Sequence, residues 1–186
     1  MPHFILCSGR ARHGKDLSAK IISGILKSKG YSVLITHYAD LLKFICKNYL
    51  GWDGEKDEAG RALLQYIGTD CVRKQDPNFW VDFVVSVVKM LPDKYSFIII
   101  PDVRFPNEIE RIKEAGFPAT HVRIIRPNFD NQLTEEQKTH QSETALDDVI
   151  PDFSIENTTI AELRKRLEWF CECFLTEEAR EEIHEE

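Results

Sequence analysis

Gly9-Arg10-Ala11-Arg12-His13-Gly14-Lys15 stands between the first apolar run of the chain and its first helical period. Residues 3–7 (HFILC) have the length and continuous apolarity of a buried strand. From Asp16 the period changes, and Leu17, Ile21, Ile22, Ile25 and Leu26 share one face of a helix ending near Lys29 and Gly30. A strand, a G-x-x-x-x-G-K turn and a helix in that order read as a phosphate loop. The glycines allow tight turning and close backbone approach. Successive amides then face phosphate oxygens, and the positive end of the following helix adds its field. Lys15 reaches between terminal phosphates.

The usual residue after that lysine is Ser or Thr, whose hydroxyl joins a magnesium shell; here it is Asp16. A carboxylate directly against phosphate is repelled, but across a divalent cation, through water, its charge is useful. An acid in the first turn of a helix is also favourable in itself, by about 0.3–1 kcal/mol. The two readings are compatible. His13 can hydrogen-bond a ligand or face water. Arg10 and Arg12 edge the pocket, because an unpaired buried guanidinium is expensive.

Further along, residues 31–38 (YSVLITHY) read as a second strand, and Asp40 as the cap of a helix carrying Leu41, Leu42, Ile45, Cys46 and Tyr49. Helical spacing at Ala62, Leu63, Tyr66 and Ile67 is expected to break at GTD, residues 68–70. Residues 79–91 are expected as a helix bounded by Asp76-Pro77 and Pro92, although their valines also suit a strand. Residues 95–100 (YSFIII) are the strongest buried-strand signal; a loop and helix follow, then a strand at 119–125 and a short last one, FSIEN. Thr159 caps an amphipathic final helix. Alternation of strands with helices implies an α/β fold in three layers, with a mostly parallel sheet covered on both faces and ligands at the carboxyl ends of the strands.

The 186 residues are expected to form one domain over 1–175, with a polar lid or mobile excursion at about 126–148 and an acidic tail at 176–186. A net charge of −7 argues against a general nucleic-acid binder but leaves room for a local anion pocket. Five cysteines without a CxxC pair read as plain thiols in a reducing cytoplasm. No run is long enough for a membrane span.

Other polar residues gather at strand ends. Asp102 follows residues 95–101, where an acid organises magnesium-bound water or the attacking oxygen, and Arg104 has the donor fork for a phosphate. Asn107 and Glu108 start the next helix, with Asn107 a fair cap. Arg61 and Arg73 either grip an acceptor phosphate or form ordinary surface pairs, Gln65 can read a base edge, and Trp80 packs in the core or lines a pocket edge. Arg123 and Arg126 lead into the polar excursion and suit phosphoryl transfer, where water must be excluded. His140, Ser142 and Glu143 are hydrolase residue types, but Ser142 is not within G-x-S-x-G, so hydrolysis is set aside.

The ordered set GRARHGKD, RALLQYIGTDCVR followed by NFWVD, IIPDVRFPNEIE, and HQSETALDD with the later FSIEN resembles the phosphate-loop deoxynucleoside monophosphate kinases of tailed phages and bacterial prophages. The resemblance runs over residues 4 to about 167. It implies a nucleoside monophosphate kinase-like core with a lid, and transfer of the ATP γ-phosphoryl group to a deoxynucleoside 5′-monophosphate with magnesium. It also implies a cytoplasmic setting in a bacterial or phage-infected cell, and frequently a homodimer. GKD is usual in that family; Leu17 stands where a threonine is common. By the resemblance, Asn157 approaches the adenine of ATP, and Arg73, Asp102 and Arg104 the acceptor. Lys15, Asp102, Arg104 and Arg126 are the candidate catalytic set, and Asp16, through water, and Asp102 the candidate metal ligands. The competing expectations are a kinase of another small phosphorylated metabolite, such as phosphomevalonate or a ribonucleoside monophosphate, and a nucleotide-binding regulator without transfer.

Overall fold

A computed structural model describes residues 1–55, 57–91 and 94–184, with side chains to residue 176. Five parallel strands, β1 (His3–Ser8), β2 (Val33–Ile35), β3 (Phe97–Ile100), β4 (Ala119–Ile125) and β5 (Phe153–Glu156), lie in the order β2-β3-β1-β4-β5. Ile5 at the centre of β1 is in register with Ile99 on one side and Thr120 on the other. Helices α1 (Lys15–Ser28), α2 (Ala39–Tyr49), α3 (Glu58–Gln65), α4 (Phe79–Lys89), α5 (Pro106–Glu114), α6 (Glu135–Thr139), α7 (Gln141–Thr144) and α8 (Ile160–His184) complete the chain.

The continuous apolarity of β1 and β3 follows from burial on both faces. Phe4, Leu6, Ile98 and Ile100 point into one layer with Leu42 and Cys46 of α2, Val81, Val84, Val85 and Val88 of α4, and Ile109 and Ile112 of α5. Ile5, Cys7 and Ile99 point into the other, against Ala19, Ile22 and Leu26 of α1 and Leu163, Leu167 and Phe170 of α8. The valines of α4 recur at helical spacing, so β-branched residues pack here as a helix face.

Four sequence expectations change. β2 is three residues long, because only Val33, Leu34 and Ile35 find partners on β3. Asp40 is not the cap of α2. The amides of Tyr38 and Ala39 donate instead to the two oxygens of Asp102, at 3.0 Å each, while Asp40 accepts from the His37 amide. The chain does not break at GTD. From α3 it continues as a π-helical segment, Tyr66–Arg73, in which Gly68 admits Leu42: a Cβ there would lie 2.7 Å from Leu42 Cδ2. Asn107 is not the cap of α5; Phe105 holds that position, with Pro106 opening the helix.

Thr159 accepts the Glu162 amide at the start of α8, as expected. Between β4 and β5, the short helices α6 and α7 bury no residue. Pro92, and the acidic tail beyond Thr176 apart from the helical backbone to His184, lie outside the described residues. All five cysteines carry free thiols. Among the described residues no helix is long and apolar enough to cross a membrane.

Candidate active site

The turn after β1 emerges where the strand order reverses, between β3 and β4, the usual ligand crevice of an open parallel sheet. Its backbone needs its glycines. Gly9 has φ 139° and would place a Cβ 2.3 Å from the carbonyl oxygen of Ile124 on β4. Gly14 has φ 95° and would place one 2.4 Å from Asn157 Nδ2. Lys15 opens α1 and is 7% exposed; its Nζ donates to the carbonyls of Gly9 at 2.7 Å and Arg10 at 2.9 Å, so the ammonium lies across its own loop. Burial first, and Arg104 second, pull its pKa down to about 7, against the opposing pull of Glu143, Asp16 and Asp102. A phosphate beside it favours the charged form.

On one flank, Asn157 Nδ2 donates to the His13 carbonyl at 2.9 Å, and His13 Nδ1 accepts the Arg126 amide at 3.2 Å. The Arg126 guanidinium stacks 3.8 Å from the centre of the Phe129 ring, and Arg12 bonds Gln132. Residues 126–132 therefore stand beside the loop.

On the other flank is a cavity of about 250 Å³ whose lining includes Lys15, Asp16, Gln65, Arg73, Trp80, Asp102 and Arg104. Trp80 both packs in the core and lines the cavity, its Nε1 donating to Gly68 O at 2.9 Å. Arg73 lies 3.9 Å from the centre of the Phe105 ring and pairs with Glu108 at 2.7 Å; its buried Nε has no partner among the described residues. Glu108, 1% exposed, also accepts the amides of Arg104 and Phe105 at 2.6 and 3.0 Å. Burial raises its pKa, while Arg73 and the amides pull it down. Asp16 bonds His37 Nε2 at 2.9 Å, which raises the histidine pKa above its ordinary value.

A smaller cavity, about 210 Å³, borders the first and is lined by Gly9, Arg10, His13, Arg104, Arg123 and Glu143 among others. Arg123 spends its Nη2 on the carbonyls of Leu146 and Val149, which pins the chain after α7. Arg61 lies half-buried on α3 and outside both linings.

Three acids exceed what their sequence context offered. Glu108 does more than start α5, since it holds Arg73 against Phe105. Glu143 accepts the Ala11 amide and bonds Arg104, while both oxygens of Asp147 accept from Arg10 Nη2. The available signal was charge: a loop with three cations has to find acids, and Glu143 and Asp147 are four apart in the polar excursion.

The family model for deoxynucleotide monophosphate kinase matches residues 35–167. The chain belongs to this family. The match begins after the phosphate loop, which stands on its own geometry. Uncharacterized protein ORF77 of Ictalurid herpesvirus 1 (strain Auburn) is 34% identical over 166 residues, 88% of this chain and 68% of the viral protein. The deoxynucleotide monophosphate kinase of Enterobacteria phage T4 is 31% identical over 80 residues, 40% of this chain and only 32% of the phage protein. Among solved structures, the APS kinase CysC of Mycobacterium tuberculosis in complex with AMPPNP and APS superimposes with a TM-score of 0.53 at 13% identity, over 92% of this chain and 96% of that one. That likeness concerns the fold alone, a three-layer α/β architecture around a parallel five-stranded sheet. Within it, this phage-related family member is a nucleotide-binding phosphotransferase.

Proposed function

We propose that the protein transfers the γ-phosphoryl group of ATP to a deoxynucleoside 5′-monophosphate, releasing ADP and the deoxynucleoside diphosphate. The observation that carries this reading is that Lys15 of the loop lines the same cavity as Arg73 and Arg104. The loop offers a seat for the donor phosphates. The cavity beside it offers two guanidinium groups for an acceptor phosphate, and Gln65 and Trp80 for its base.

The donor set suits magnesium. That ion needs only one or two carboxylates beside phosphate and water oxygens. Asp16, through water, and Asp102 would hold it, since both line the cavity with Lys15. When bound, it neutralises charge between the donor phosphates.

The chain's own groups do the rest. Loop amides and the Lys15 ammonium hold the terminal phosphates in line with the acceptor, and Arg73 and Arg104 orient that acceptor. An acceptor phosphate oxygen attacks the γ-phosphorus while the bond to the β–γ bridging oxygen breaks, leaving its electrons on ADP. The attacking oxygen is largely ionised near neutral pH, so no strong general base is required. Asn157, His13 and Arg126 border the donor nucleoside, and residues 126–148 serve as a lid that excludes water.

The test is ADP release from magnesium-ATP by purified protein with each common deoxynucleoside monophosphate and its ribonucleoside counterpart. Release with at least one deoxynucleotide is expected. Tight ATP binding without release on any of them would refute the reading.

A further inference from the structure

Glu143 lies in α7, where no residue is buried as a whole, yet its side chain is only 6% exposed. Its Oε2 accepts the Ala11 amide at 2.9 Å, and its Oε1 accepts from Arg104 Nη1. The same Nη1 donates to the Ser142 carbonyl at 3.3 Å. Behind the carboxylate, Arg10 holds the Glu143 carbonyl at 2.7 Å and grips Asp147 with its other nitrogen. The Glu143 peptide is thus anchored to the phosphate loop before its carboxylate reaches Arg104.

Arg104 comes from the turn after β3 and Ala11 from the turn after β1, and Glu143 joins the two. A guanidinium presents five N–H donors in one rigid plane. Here Nη1 is spent on Ser142 and Glu143, whereas Nη2 and Nε have no protein acceptor among the described residues. A planar group tied along one edge through a charge-assisted bond loses its freedom to swing. Arg104 also lines the cavity that holds Lys15.

We propose, resting on the phosphoryl-transfer reading above, that Glu143 is a positioning residue: it ties Arg104 to the phosphate loop so that the free edge of the guanidinium meets the acceptor phosphate beside the phosphoryl group in transit. The carboxylate acts through Arg104 and touches no substrate itself. An alternative part for the same contact is competition, with the carboxylate occupying a loop amide that phosphates would otherwise use; the two parts predict opposite results.

The experiment compares wild type with Glu143→Gln, Glu143→Ala, Arg104→Ala and the Glu143→Gln/Arg104→Ala double variant. The measurements are turnover, calorimetric binding of the monophosphate without ATP, binding of magnesium-ATP, and urea unfolding. Each Glu143 variant is expected to lose about tenfold or more in monophosphate affinity and kcat, while magnesium-ATP binding stays within about threefold of wild type. In the Arg104→Ala background, Glu143→Gln should add little, because residues acting as one unit are not additive. Unchanged monophosphate affinity and kcat in folded Glu143→Gln would overturn the proposal, as would additive losses in the double variant. Tighter magnesium-ATP binding with faster turnover would overturn it in favour of competition. Should Glu143→Ala not fold, Glu143→Gln and the double variant still decide. A wild type that turns over no deoxynucleotide would sink the functional reading, and the monophosphate titrations would then still decide the part of Glu143.

Discussion

Gly14→Ala should cost the protein both stability and nucleotide affinity. Gly14 has φ 95°, a region where an L-residue with a Cβ is strained by about 1–2 kcal/mol. The added methyl would also lie 2.4 Å from Asn157 Nδ2, closer than any relaxed contact, so that side chain has to move. It is 8% exposed and donates to the His13 carbonyl, and leaving such a buried pair unsatisfied costs about 1–3 kcal/mol. The sum is about 2–5 kcal/mol. For a domain of this size each kcal/mol lowers Tm by about 2–4 °C, giving a fall of roughly 4–20 °C. Gly24→Ala is the internal control: it lies within α1, nothing stands within 4 Å of its Cβ, and it should stabilise by about 0.5–1 kcal/mol. Urea unfolding followed by circular dichroism, with the m-value checked for constancy, gives both numbers, and calorimetry gives magnesium-ATP affinity. Asn157→Ala combined with Gly14→Ala should cost less than the two changes separately, since the clash is then gone. A Gly14→Ala protein with an unfolding midpoint equal to that of Gly24→Ala would show that the loop does not have the wound backbone on which the site depends.

Other perturbations test other parts. Lys15→Ala should lower kcat on the order of 10²-fold or more with little change in secondary structure, read by steady-state kinetics and circular dichroism. Arg73→Ala leaves the Glu108 carboxylate buried without its partner and should destabilise by about 3–5 kcal/mol in urea, with weaker monophosphate binding by calorimetry; adding Glu108→Gln should recover part of the stability. His121 has its pKa lowered from 6.5 to about 4 by burial and then by Arg123, so the folded state holds it neutral. Its contribution is therefore complete above pH 6.5 and is lost as pH falls towards 4, where the unfolded chain binds the extra proton. Wild type should lose stability across that window more steeply than His121→Asn, measured as urea midpoints against pH; parallel profiles would contradict it.

The phosphate loop was readable because everything it needs is local: two glycines at fixed spacing, an apolar run before and a helical period after. The helix over residues 79–91 was readable from its valines once their spacing was followed, although each valine alone favours a strand. What local pattern could not supply were partners distant in sequence. Asp102 takes the amides at the start of α2 across more than sixty residues, so Asp40, the nearer acid, looked like the cap. Gly68 read as a helix breaker because its reason, room for Leu42, belongs to another helix. Glu108 and Glu143 looked like a helix start and a fragment of polar chain; their importance lies in the half-buried cations they meet, Arg73 and Arg104, which only the folded sheet brings alongside.

The most direct measurement of the central claim is a single-turnover reaction with ATP labelled on its γ-phosphorus. With wild-type protein, magnesium and an accepted deoxynucleoside monophosphate, the label should appear as the β-phosphate of the deoxynucleoside diphosphate, in step with ADP and dependent on Lys15. Label released as inorganic phosphate, or transfer undiminished in Lys15→Ala, would contradict the account.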